Sequence, residues 1–135
     1  MKNFLIKIIL SLFFTVIFLS NPQFATANDI CVYGFSATNM TVKETDNFFE
    51  EKLDGLPITG SGTVTSVIQQ GGPGTEENVT VNARCSNGVN LVLYVDTLWV
   101  KRHNVQKDAI VRFNGQCVRL QKYESTITCI VQVTD

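Results

Sequence analysis

Four cysteines, one histidine and two glutamate doublets are the side chains in this sequence best suited to covalent, metal or acid–base chemistry. The doublets, Glu50-Glu51 and Glu76-Glu77, are neighbours in sequence, so their carboxylates point apart and make poor acid–base pairs. His103 stands alone and no two cysteines share a C-x-x-C spacing, so a zinc site lacks its ligands. Neither a G-x-S-x-G elbow nor a glycine-rich phosphate loop occurs. The expectation is a protein that is not an enzyme and carries no cofactor or metal. What remains is recognition chemistry. Within "VNARCSNGVNLVLYV", Val81 to Val95, Arg84 can fork onto a phosphate or carboxylate, and Tyr94 can stack under a base or sugar ring.

The elements that must position this pair can be read from periodicity. Val79, Val81, Ala83 and Cys85 alternate with polar residues, and Val89, Leu91, Leu93 and Val95 do the same on the return. A two-residue turn at Asn87-Gly88 would set an inward residue opposite an outward one. A three-residue loop, Ser86-Asn87-Gly88 with Gly88 left-handed, pairs Cys85 with Val89 and restores agreement. Arg84 then faces Asn90, Asn82 faces Val92 and Thr80 faces Tyr94, all on the outer face. Three further strands are expected at Ile58–Gln69, Ala109–Val118 and Ser125–Val133, the last two joined near Gln121 to Glu124. Gly60 and Gly62 suit the curl of a small barrel, and "QGGPGTEEN" reads as a loop. Thr41-Val42-Lys43-Glu44 fits a capping box and Gly55 a left-handed cap, which places a short amphipathic helix from about Val42 to Asp54. Residues 28–40 read as irregular, and Asp96 to Asp108 as a connector with a helical turn around Trp99, which is expected to be buried. Five curling, alternating strands in so short a chain favour a closed antiparallel barrel.

The N-terminus suggests export. Lys2 and Lys7 form a positive n-region ahead of an apolar run, "IILSLFFTVIFL", too short for a comfortable membrane span, and Ala25-Thr26-Ala27 follows like a cleavage site. Removal of 1–27 leaves one domain, 28–135, and a periplasmic or secreted location with no membrane anchor. Its nine basic and twelve acidic residues give a net charge of −3, which argues against strong unaided nucleic-acid binding. The charges are segregated: 28–77 carries eight acids and two bases, 78–135 seven bases and four acids.

Four cysteines in an exported chain suggest two disulfides, with three possible pairings. The alternation of Cys117 and Cys129 about a turn centred on Tyr123 would set them opposite one another, which leaves Cys31 for Cys85. The second bridge would tie the N-terminal segment to the barrel.

The order helix, "GLPITGSGTVTSV", two alternating strands, then "VQKDAIVRFNGQC" resembles the exported bacterial OB-fold domains of the tRNA-anticodon-binding-like type. The resemblance spans about Thr41 to Val133 and rests on Gly55, Ile58, Gly62, Val64, Val67, Asp108, Val111, Phe113, Gly115, Cys117 and Cys129. Lys107 stands where that pattern has a turn glycine, and Cys31 and Cys85 look like additions to it. The resemblance implies a five-stranded OB-fold-like Greek-key barrel, all-β with one short N-terminal helix, and no established catalytic residues. In such barrels the outer face of the second and third strands binds oligonucleotides or oligosaccharides. Asn82, Arg84, Asn90, Val92 and Tyr94 are therefore expected on the binding face, with Lys122 and Tyr123 in the loop beside it. The expected ligand is an anionic oligomer, nucleic acid or oligosaccharide, or else a protein. The alternative is an interaction subunit, either toxin-type or a lysozyme-type inhibitor; Cys85, Gly88, Leu91 and Leu93 resemble the hairpin of small inhibitor barrels.

Overall fold

A computed structural model describes residues 28–70 and 78–134. The leader read at 1–27 and residues 71–77 of the first long loop lie outside the described residues. The strands are β1 (Pro57–Gln70), β2 (Asn78–Arg84), β3 (Asn90–Asp96), β4 (Ile110–Tyr123) and β5 (Thr126–Val133). They close into one ring in the order β1-β2-β3-β5-β4. Every neighbouring pair is antiparallel except β3 and β5, which run parallel. This is the five-stranded OB-fold-like barrel expected from the sequence.

Strand alternation builds the core. Val79, Val81 and Ala83 of β2 face inward with Leu91, Leu93 and Val95 of β3, and β4 and β5 add Val111, Phe113, Leu120, Ile127 and Val131. Each fully buried aliphatic side chain of this kind contributes about 1.5–3 kcal/mol over its exposed state. β1 is long enough to serve two neighbours: Pro57 to Thr63 pair with β4, and Thr63 to Gln70 pair with β2. The ring closes at that handover, where Gly60 lies against the Phe113 ring with no room for a side chain. The β2–β3 register is the one the three-residue loop requires, with Arg84 opposite Asn90, Asn82 opposite Val92 and Thr80 opposite Tyr94. Cys85 N donates to Val89 O at 2.8 Å, and Gly88 sits at φ +91°.

The N-terminal segment is more ordered than its sequence suggests. Ile30–Ser36 is a helix, α1, capped by Asp29, whose Oδ1 accepts from Cys31 N at 2.9 Å. A 3-10 turn, Ala37–Asn39, follows. Ile30, Gly34 and Ala37 are buried; their i, i+4, i+7 spacing is one helical face, pressed onto the barrel. The second helix, α2 (Val42–Phe48), carries the expected capping box and runs on as a π turn, Phe49–Leu53. The N-terminal region therefore holds two helices where one was expected. The connector after β3 is a short helix, α3 (Thr97–Arg102), whose Asp96 cap accepts from Trp99 N at 2.7 Å. Trp99 is buried, as expected, and stacks on His103.

Cys31 and Cys85 form a disulfide that fixes α1 to the end of β2. The expected Cys117–Cys129 bridge is corrected: both are free, buried thiols. β4 extends to Tyr123, which pairs with Thr126, so the turn is centred between Glu124 and Ser125. That later turn alone would set Cys117 opposite Gln132; a bulge at Val118 brings it back by one, so Cys117 faces Val131 while Cys129 faces Leu120. The two cysteines become diagonal neighbours, a geometry with Cα atoms about 7–8 Å apart, beyond the reach of an ordinary disulfide. Burial pushes the Cys117 thiol up to about 11, and its Sγ donates to the Arg119 carbonyl at 3.4 Å. Burial raises Cys129 further, helped by its proximity to Cys117.

Candidate functional site

The outer face of β2, β3 and β5 is built in three rows, each fixed by strand pairing. Arg84, Asn90 and Thr128 form one; Asn82, Val92 and Ile130 the next; Thr80, Tyr94 and Gln132 the last. Successive rows are two residues apart along a strand, about 7 Å, so Arg84 and Tyr94 stand at opposite ends of a track about 14 Å long by the same spacing. β4 adds Gln121 to the first row and Arg119 to the second.

Each row has its own chemistry. Arg84 is exposed and its Nε donates to Asn90 Oδ1 at 3.3 Å. That bond orients the guanidinium, while its terminal nitrogens have no hydrogen-bond partner among the described residues. In the middle row Val92 and Ile130 make an aliphatic strip, with Asn82 bonded to Ser66 Oγ at 2.9 Å on one side and the exposed Arg119 on the other. Tyr94 is 39% exposed, enough for one side of its ring to meet a ligand.

At the Arg84 end the face runs into a cleft of about 230 Å³ between the β2–β3 loop, the β4–β5 turn and α1. Its lining includes Phe35, Arg84, Asn90, Ser125 and Thr126. Phe35 is 56% exposed on the α1 side. The Asn87 amide is already used: Nδ2 donates to Cys31 O at 3.0 Å and Oδ1 accepts from Val89 N at 3.3 Å.

Five of the seven expected binding residues, Asn82, Arg84, Asn90, Val92 and Tyr94, share this face. Tyr123 is 77% exposed at the end of β4. Lys122 has a different role: its ammonium donates to Thr38 O at 2.7 Å and to Met40 O. It ties the turn after α1 to β4 and is removed from the binding set. Sequence reading missed Arg119, Ile130 and Phe35. The signal for Arg119 was present, because strict alternation from Cys117 would bury an arginine, and only a bulge at Val118 turns it outward. Among the described residues no group of three or more His, Cys, Asp or Glu side chains is placed to hold a metal ion.

Comparison with known proteins gives no relative: no family model, no curated protein and no solved structure matches this chain.

Proposed function

We propose that this chain is an exported, non-catalytic OB-fold binding protein that holds an anionic oligomer against the outer face of β2, β3 and β5. The observation that carries this reading is Arg84, its Nε held by Asn90 and its terminal nitrogens free at the head of the track. A guanidinium fixed at one edge loses little conformational freedom when it forks onto an oxyanion. Arg119 lies across the Val92–Ile130 strip as a second cation. The strand order is that of an OB-fold-like barrel, the architecture this reading requires. The export part rests on the leader pattern. The Cys31–Cys85 disulfide and the absence, among described residues, of a helix able to cross a membrane are compatible with it.

The test is isothermal titration of wild type and Arg84→Ala with a single-stranded oligonucleotide and an acidic oligosaccharide at low and moderate salt. Losing one charge-assisted contact predicts a weakening of roughly tenfold or more and a shallower salt dependence. Binding that ignores both salt and the substitution overturns the reading.

A further inference from the structure

The cleft beyond the Arg84 row separates the ways an oligomer could lie on this face. Its lining holds donors that have no hydrogen-bond partner among the described residues: the terminal nitrogens of Arg84, Asn90 Nδ2, and the hydroxyls of Ser125 and Thr126. Among the described residues no carboxylate lines it, so the Arg84 charge is left for an oxyanion. The floor is apolar, formed by buried Val89 and Ile127, and Phe35 stands at the rim. A volume of about 230 Å³ equals some seven or eight waters at about 30 Å³ each, room for one ring and its substituents. Phe35 and Thr38, from α1 and the turn after it, line the cleft with the β2–β3 and β4–β5 connections, so a chain running along the track from Tyr94 towards Arg84 reaches the N-terminal segment there.

The rest of the track indicates the kind of chain. Asn82, Thr80, Thr128, Gln132 and Gln121 carry amides and hydroxyls that both donate and accept, as sugar hydroxyls demand. Successive nucleobases would need successive aromatic platforms, and the three rows offer Tyr94 alone. We infer that the cleft is an end-group subsite for the terminal acidic residue of an oligosaccharide. Its carboxylate meets Arg84, Ser125 and Thr126, its C–H face lies on Phe35, and the inner residues follow the track. This inference rests on the binding function proposed above and adds the class of ligand and its polarity.

The probes are tetragalacturonate, the same chain methyl-esterified at one terminal residue (each end in turn), and an oligodeoxythymidylate, all measured by titration calorimetry at low salt. One terminal ester should weaken binding roughly tenfold to hundredfold, the worth of hydrogen bonds to a charged group, and an inner ester should cost much less. Phe35→Ala, at an exposed position, should weaken the free-ended chain, and its effect should not add to that of the terminal ester. Leu98→Ser, on α3 at the other end of the barrel, is the control. Equal affinity for free and esterified ends, with Arg84 still required, overturns the end subsite and leaves the proposed function standing. Tighter binding of the oligodeoxythymidylate overturns the choice of ligand class. No binding of any acidic chain overturns both.

Discussion

Replacing Cys31 and Cys85 together by serine separates what the bridge does for the native barrel from what it does for the unfolded chain. The bridge joins residues 54 apart in sequence. In the chain-entropy model a loop of that length removes about 14 cal/mol/K from the unfolded state, or about 4 kcal/mol at 25 °C. The native side should change little. α1 keeps its buried Ile30, Gly34 and Ala37, and Asn87 still bonds the Cys31 carbonyl at 3.0 Å. Urea unfolding at 25 °C should therefore show a loss near 4 kcal/mol together with a larger m-value, because the unlinked chain exposes more surface. For a domain of this size the melting temperature should fall by roughly 15–20 °C, taking about 2.1 cal/mol/K per residue. A loss below about 1 kcal/mol with an unchanged m-value would contradict the chain-entropy reasoning. Such a result would mean that the unfolded chain already holds this loop closed.

Two further perturbations probe the core. Gly34→Ala adds a methyl 2.7 Å from Val89 Cγ1 and 3.0 Å from Cys129 Sγ, so it should destabilise by about 1–3 kcal/mol; Val89→Ala in the same chain should recover part of that loss, and strict additivity in urea unfolding would count against the contact. The raised thiols give a signed pH dependence. Below pH 9 both states are protonated at Cys117, but between about 9 and 11 the unfolded thiol ionises while the buried one does not, so stability should decline across that window. Cys129, raised by burial as well, contributes to the same decline, so Cys117→Ala should roughly halve it in denaturation curves recorded at successive pH values, and an identical decline in this variant would remove the Cys117 thiol as a cause.

The parts of the fold that could be read from the sequence are those set by local chemistry. The β2–β3 hairpin was legible because Gly88 and strict alternation leave one loop length that keeps apolar residues on one side. The capping box at Thr41 was legible for the same reason, since Thr41 Oγ1 and the Glu44 amide meet within a single turn. α1 was not, because it has seven residues, with Gly34 and Ser36 among them, too few and too weakly helical to form unaided. Its stability comes from burying Ile30, Gly34 and Ala37 against a barrel assembled from residues far along the chain.

Parity failed at one point, and the consequence reached both the core and the candidate site. Val118 and Arg119 are consecutive and both exposed between buried Cys117 and Leu120, which strict alternation across a barrel wall does not give. The extra residue turns Arg119 outward beside the Val92–Ile130 strip, and the same shift sends Cys117 to Val131. One bulge thus supplies a second cation to the proposed binding face and keeps Cys117 in the core, while the later turn holds it off Cys129. The charge itself accounts for the bulge. Burying an unpaired guanidinium among Leu120, Cys129 and Val131 would cost several kcal/mol, while leaving one residue of a ladder unpaired at the surface costs much less, because water replaces the lost partner.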